Sequence, residues 1–379
     1  MTTEPAHTRR GDGAYPTPAP RPAQVAQAVE QLVRLMAADS TSGREAPAVD
    51  VAEAIARELG LAVERLPTAG ADAAARRDNL LIGGAAPEVV LCTHLDTVPP
   101  FIPPRLEARG QPGSAGPSGI EAEVIHGRGA CDAKGVAIAM LHALVTLRAS
   151  GVSLDRIACL LVVGEETDHA GARSVAASGR LAPRHVVLGE PCGLRPALAQ
   201  KGLLKLRVTA SGRAAHSAYP ELGASAVHRL IDALHRLTHG ALPSDPALGP
   251  TTVNVGRVAG GVAPNVIAPS AEATLVVRCA APVDAVLAAA RALLGPEVEV
   301  DEVSRAEPID FDTLGGALDG AGPAVPFNTD AAWLAPLGAR LSLMGPGDMR
   351  VAHGDHERLA VKDLAEGIER FTRAALALL

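Results

Sequence analysis

The sequence predicts an α/β fold interrupted by a separate α+β unit, and three patterns predict it. Strands and helices alternate from about 23 to 199. One of those strands, 157–163, is almost wholly apolar, as a strand buried on both faces of a parallel sheet must be. Near Gln200 the pattern switches to one-sided alternation, and core-like segments return only after about residue 305.

The elements follow in order. Val25, Val29, Leu32, Val33 and Met36 recur at helical spacing. A polar break at 39–43 separates that helix from a second one running from Pro47 to Gly60. Segments 61–63, 79–82 and 88–92 read as strands. The Pro, Gly and Ser content of 99–123 predicts a long loop beside them. A helix over 135–147, the strand 157–163 and a further strand over 185–188 continue the alternation, which argues for right-handed crossovers. Leu204, Leu206 and Val208 alternate with Lys205, Arg207 and Thr209, giving a strand with one wet face. A helix over 224–237, strands at 252–258 and 271–278, and an Ala-rich helix over 283–294 give the first five elements of a β-α-β-β-α-β order. A strand at 341–344 and a last helix over 361–378 belong to the first unit again. No internal repeat is present.

A chain of 379 residues has room for two domains and a sizeable core. The formal net charge of -7 and the lack of a basic, aromatic-interleaved run argue against nucleic acid as a partner. No apolar run is long and uncharged enough to cross a bilayer, so no membrane role is expected. Cys92, Cys131, Cys159, Cys192 and Cys279 are odd in number and scattered, the pattern of reduced thiols in a cytoplasmic protein. Arg9-Arg10 is not followed by an apolar segment, so an export signal is not expected. Residues 1–20 read as a disordered Pro-rich tail.

Several strand or helix ends carry metal-type donors. The strand at 88–92 delivers His94 and Asp96 onto its carboxyl end. Cys131-Asp132-Ala133-Lys134-Gly135, Gly164-Glu165-Glu166-Thr167 and Gly189-Glu190-Pro191 each add acids, and His353 follows Gly345-Pro346-Gly347-Asp348. Imidazoles and carboxylates in that mixture are what two zinc-like ions sharing a bridging carboxylate require. Each motif also has a plainer reading. A strand-end histidine is often structural, and Asp132 stands where a helix N-cap would. The Glu pair is harder to explain away, because adjacent carboxylates at the end of a buried strand repel unless cations or a shared proton compensate them. On the functional reading, one Glu binds metal and the other takes a proton from the attacking water. Asp96 supplies the carboxylate that a metal-bound imidazole needs on its other nitrogen. Arg128 and Lys134 read as groups that orient carboxylates. His356 competes with His353 for the same role, and spacing does not separate them.

These motifs resemble the metallohydrolase family of aminoacylase, acetylornithine deacetylase, succinyl-diaminopimelate desuccinylase and glutamate carboxypeptidase. The resemblance runs from about residue 23 to the end. It is carried by His-x-Asp-x-Val-Pro at 94–99, Gly-Arg-Gly-x-x-Asp-x-Lys-Gly at 127–135, Glu165-Glu166, Glu190-Pro191 and Gly-Pro-Gly…His at 345–353. It implies a zinc-peptidase-like three-layer catalytic domain formed by 21–199 and 306–379, with a ferredoxin-like α+β lid and dimerisation domain inserted at 200–305. It also implies two divalent ions per chain, zinc first, cobalt or manganese possible. His94 and Glu190 would hold one ion, Glu166 and His353 the other, and Asp132 would bridge them. Glu165 falls at the general acid/base and Asp96 behind His94. His216, within Gly212-Arg213-Ala214-Ala215-His216-Ser217, matches a histidine that reaches a second subunit's active site in a homodimer. Asn265, Arg278 and Gly345 fall at substrate-binding positions, Asn265 and Arg278 at those that hold the substrate's carboxylate.

The chain departs from the family pattern at Ala133, where a Met is usual, and at Gly164, where an acid is usual; the segment 105–123 is atypical. Glu357 keeps an acid that the family often has. The resemblance implies amide hydrolysis, with an acetylornithine-type deacylase acting on an N-acyl amino acid as the first reading. A metallo-dipeptidase or carboxypeptidase acting on a short peptide is the alternative. A non-catalytic metal-binding dimer would be expected to lose the base or a ligand, and this chain retains them all.

Overall fold

A computed structural model describes residues 19–68, 77–108, 122–314, 318 and 320–379. The tail expected over 1–20 lies outside the described residues except for its last two. Helix α1 (Pro22–Ala37) opens on a proline, which costs nothing where no helical N–H partner exists, and buries Ala28, Val29, Leu32, Leu35 and Met36. After α2 (Ala46–Glu58) come β1 (Val63–Pro67), β2 (Asp78–Gly83) and β3 (Val89–His94). The strand expected at 61–63 begins only at its last residue; Leu61 is instead buried in the core.

The loop expected over 99–123 is partly structured. Strand β4 (Arg105–Ala108) pairs with β5 (Ala122–His126), and 109–121 lies outside the described residues. The alternation of apolar residues is too short there to be read from sequence. Next come α3 (Lys134–Ala149), buried on nearly every side, then β6 (Ile157–Val162), α4 (Ala170–Ser178) and β7 (His185–Gly189). Two-residue β8 (Ala199–Gln200) leads into β9 (Gly202–Ser211), α5 (Ala226–His239) and the small ladder β10 (Ser244–Asp245) with β11 (Gly249–Pro250). The chain continues through β12 (Thr252–Gly260), β13 (Ser270–Cys279), α6 (Val283–Leu294) and β14 (Glu299–Ala306). It closes with β15 (Ile309–Asp310), α7 (Ala331–Leu334), β16 (Arg340–Met344), β17 (Arg358–Ala360) and α8 (Val361–Leu378).

The first sheet runs β1-β2-β6-β3-β7-β16. Strands β6, β3, β7 and β16 are parallel, while β2 and β1 form an antiparallel edge. Its faces are covered separately. Leu80, Ile82, Leu91 and Leu161 pack with residues of α1, α2, α3 and α8. Val90, Leu160 and Leu188 pack with Val175 of α4 and Leu334 of α7. Because four strands are parallel, their carboxyl ends open on one edge, where an open α/β sheet places its ligands.

The second sheet, β12-β13-β9-β14, is antiparallel. One face packs on α5 and α6 through Leu204, Leu206, Val208, Leu275 and Val277. The alternate positions, including Lys205, form the open face. The architecture is the three-layer α/β body with an inserted α+β unit that the sequence predicts.

Candidate metal centre

The parallel strands fix where the donors meet. His94 is the last residue of β3, the Glu165-Glu166 turn follows β6, and Glu190 follows β7. Asp132 comes from the loop before α3. It does not cap that helix, whose N-cap is Ala133 with no side-chain hydrogen bond. Its two oxygens instead point in different directions. Oδ1 lies 3.0 Å from His94 Nε2, and Oδ2 lies 3.1 Å from His353 Nε2. Each imidazole has a second carboxylate: Glu190 Oε2 at 3.9 Å from His94 Nε2, and Glu166 Oε1 at 3.0 Å from His353 Nε2. Both His353 and His356 are exposed, but it is His353, from a loop position with φ 62, whose Nε2 reaches Asp132 and Glu166.

Buried groups hold this arrangement. Asp96 accepts hydrogen bonds from the backbone N–H of Glu165 at 3.0 Å, the N–H of Glu166 at 3.1 Å and the Ser42 hydroxyl at 2.8 Å. It also lies 3.6 Å from His94 Nδ1, so one carboxylate steadies both the imidazole and the Glu pair. Arg128 donates to Glu357 at 2.7 Å and to the backbone oxygen of His353 at 3.4 Å. Glu357 in turn accepts from the N–H of Asp132 at 3.2 Å. That pair ties the Asp132 loop to the His353 loop, helped by β17 pairing with β5. Lys134 is also buried, but its Nζ donates to the Ala38 carbonyl at 2.8 Å rather than to a carboxylate. Gly164 has φ +82, a conformation that any side chain at this position would strain.

The electrostatics fit a cation-binding cluster. Burial, followed by repulsion from Glu190, pushes Glu165 well above the usual carboxylate range. Burial likewise raises Glu166 and Glu190. Burial also works against ionised Asp132, but hydrogen bonds to His353 and His94 outweigh it and hold this carboxyl below its ordinary value. His353 is raised to about 10 by its bonds to Asp132 and Glu166. Carboxylates that repel one another and imidazoles pulled toward their charged form both report a deficit of positive charge. Two divalent cations on this oxygen and nitrogen donor set would supply it.

The remaining predicted residues separate. Arg278 lines the same cavity as Asp132, Glu165, Glu166, Glu190 and His353, a space of about 430 Å³. His216 and Asn265 do not line it. They sit together on the inserted unit, where Ser217 N–H donates to the Asn265 carbonyl at 3.0 Å, and both are exposed. Gly345, expected at the substrate, is buried. A Cβ on it would meet the Glu190 carbonyl at 2.5 Å, so its smallness serves the close packing of the Glu190 loop. His169 was missed by the sequence reading. Its Nδ1 lies 2.9 Å from Asp330 Oδ1 and 4.0 Å from Glu165 Oε1. Its spacing of four residues from Glu165 was the available signal, but α4 was not legible.

Residues 90–377, well over half of the chain, match peptidase family M20/M25/M40. The chain belongs to this family. It is 31% identical over 349 residues to a peptidase M20 domain-containing protein of Schizosaccharomyces pombe, covering 90% of this chain and 82% of that one. It is 37% identical over 316 residues to a probable carboxypeptidase of Aspergillus flavus, covering 76% of this chain and 71% of the relative. A tripeptidase from Staphylococcus aureus shares the fold, with a TM-score of 0.75 at 18% identity over 95% of this chain and 100% of that one. As an M20 member the protein is a metal-binding hydrolase of peptide or related amide bonds. Metallopeptidases of the family typically use two divalent ions. All five cysteines are free. No helix among the described residues is long and apolar enough to cross a membrane.

Proposed function

We propose that the protein is a two-metal peptidase of carboxypeptidase or dipeptidase type, acting on short peptides with a free carboxyl end. This is the alternative raised from the sequence, and it displaces the acetylornithine-type deacylase as first reading. The probable carboxypeptidase relative supports it. The observation that carries it is Asp132, whose two oxygens serve two different imidazoles at 3.0 and 3.1 Å, each backed by its own glutamate. On this reading His94 and Glu190 would hold one ion, Glu166 and His353 the other, and Asp132 would serve both. Two divalent cations supply Lewis-acid polarisation of the scissile carbonyl and lower the pKa of water toward neutrality.

The protein's own residues do the rest. Glu165 belongs to neither ligand pair, lies in the cavity, and has its proton affinity raised by burial, which strengthens it as a base. It accepts the proton of the attacking water and delivers it to the leaving amine. Asp96 holds Glu165 in place through its backbone N–H. Arg278 receives the substrate's carboxylate. His216 and Asn265 complete the site of a second copy in a homodimer through the inserted unit. Their exposure, beside the exposed side chains of Tyr219 and Leu222, supports that assignment.

Metal-loaded protein assayed on dipeptides, tripeptides and N-acetyl amino acids tests the proposal. Peptides with a free carboxyl end should be cleaved fastest, and amidation of that end should abolish turnover. Hydrolysis confined to N-acetylornithine and similar acyl amino acids would return the deacylase to first place.

A further inference from the structure

The turn that carries Glu165 and Glu166 closes on a residue in an uncommon conformation. The backbone N–H groups of Thr167, Asp168 and His169 all donate to the Gly164 carbonyl, at 3.3, 3.1 and 2.6 Å, and His169 stands at φ 53 just before α4. That left-handed region is uncommon for any residue but Gly, and a side chain kept there is held by its surroundings. Two contacts hold His169. Its Nδ1 lies 2.9 Å from Asp330 Oδ1, and its ring lies 5.5 Å from that of Trp333, which Arg173 covers in turn at 4.8 Å.

Asp330 is set aside for this contact. It occupies the N-cap of α7, where an aspartate usually bonds a free backbone N–H, yet it makes no such bond. Thr329 takes a first-turn N–H instead, its hydroxyl accepting from Ala331 at 3.1 Å and donating to Gln200 at 2.7 Å. A carboxylate only accepts, so the buried Asp330 fixes the imidazole with a proton on Nδ1.

The imidazole held in this way faces Glu165, and both line the cavity. Its Nδ1 is 4.0 Å from Glu165 Oε1, and among the described residues no other basic side chain comes as close to that carboxylate. The Glu165 carboxylate accepts no hydrogen bond among the described residues, while Glu190 and Asp330 repel it. A base without a fixed partner can turn either oxygen toward the attacking water or away from it, and misplacement of a catalytic group by about 1 Å is enough to lower the rate.

We infer that His169, held by Asp330, is a positioning residue for Glu165: its imidazole keeps Oε1 turned to its own ring and leaves the other oxygen facing the water. The inference rests on the reading of Glu165 as the base. A residue that served only to close the Glu turn would be better replaced by Gly, which adopts φ 53 freely. Stability and turnover should therefore part company at this position.

The test uses metal-loaded, full-length protein and whichever of the peptides or N-acetyl amino acids it cleaves fastest. His169→Gly and His169→Asn, both compatible with a left-handed backbone, are compared with the wild type in denaturant melts, zinc titration and steady-state kinetics. Stability should be unchanged or raised, and zinc binding should stay as in the wild type. A fall of about ten- to hundredfold in kcat is expected, with KM changed less than about twofold. Added imidazole should restore part of the loss in His169→Gly. In a Glu165→Gln background, His169→Gly should cost nothing further, because it acts through the group already lost. Wild-type kcat in both variants overturns the inference. So does a loss that adds fully to that of Glu165→Gln, or one that comes with weaker zinc binding or lower stability. In each of those cases a depressed Glu165→Gln leaves the base standing. Near-wild-type turnover by Glu165→Gln removes the base, and the inference with it.

Discussion

The two imidazoles that flank Asp132 are built differently. His94 ends a buried central strand, its side chain is 1% exposed, and Asp96 backs it. His353 stands on a loop with φ 62, and its side chain is 50% exposed. A third imidazole shows what either would be without its carboxylates. His142 lies in the apolar core of α3 with only Gln31 at 2.8 Å, and burial lowers its pKa to about 4. The carboxylates, and not the imidazoles, thus set the character of the centre. The scaffold makes its two ends unequal. We expect a tighter ion at His94 and Glu190 and a more exchangeable one at His353 and Glu166.

The largest expected effect belongs to a residue outside both ends. Glu165→Gln should lower kcat by about two to four orders of magnitude while both metal-binding steps persist. Loss of an ion in this variant would make Glu165 a ligand and spoil the division of roles. Smaller changes separate the two ends. His353→Ala should remove the weaker step of a metal titration and spare the tighter one, and His94→Ala should weaken the tighter. Asp96→Asn should weaken metal binding by about 10–100-fold, as the loss of a carboxylate behind a ligand does, and should lower turnover too because it releases the Glu pair. Should His353→Ala abolish the tight step instead, the inequality runs the other way.

The smallest effect concerns His142. Its folded pKa lies below the unfolded value of about 6.5, so the unfolded chain binds the proton more readily. Its contribution is therefore complete above about pH 6.5 and is lost as pH falls toward about 4, with roughly 2 kcal/mol gone by pH 5. Denaturant melts of wild type and His142→Gln across that range should diverge in slope, the variant being flatter. Parallel slopes would mean that His142 is protonated, or accessible to water, in the folded chain.

How far the sequence could be read varies along the chain. Apolar strands ending on His94, Glu165-Glu166 and Glu190 point to both the α/β body and its candidate donors, because burial and chemistry meet at the strand ends. Short elements escaped notice. Strands β4 and β5 sit in a stretch rich in Pro and Gly, and α4 has only nine residues, mostly small. Side-chain direction was equally hidden. Whether Asp132 caps α3 or spans two imidazoles depends on a loop conformation that spacing alone does not encode. Gly345 read as a substrate contact because its motif lies beside the site, whereas its packing on Glu190 appears only in three dimensions.

On the proposed function, Asp132 is the group shared by two unequal ion sites. Calorimetric titration of metal-free protein with zinc, on the wild type and on Asp132→Ala, tests it most directly. The wild type should take up two ions per chain in two resolved steps, and Asp132→Ala should lose both at wild-type affinity. A single ion per wild-type chain, or two ions retained by Asp132→Ala, would contradict it.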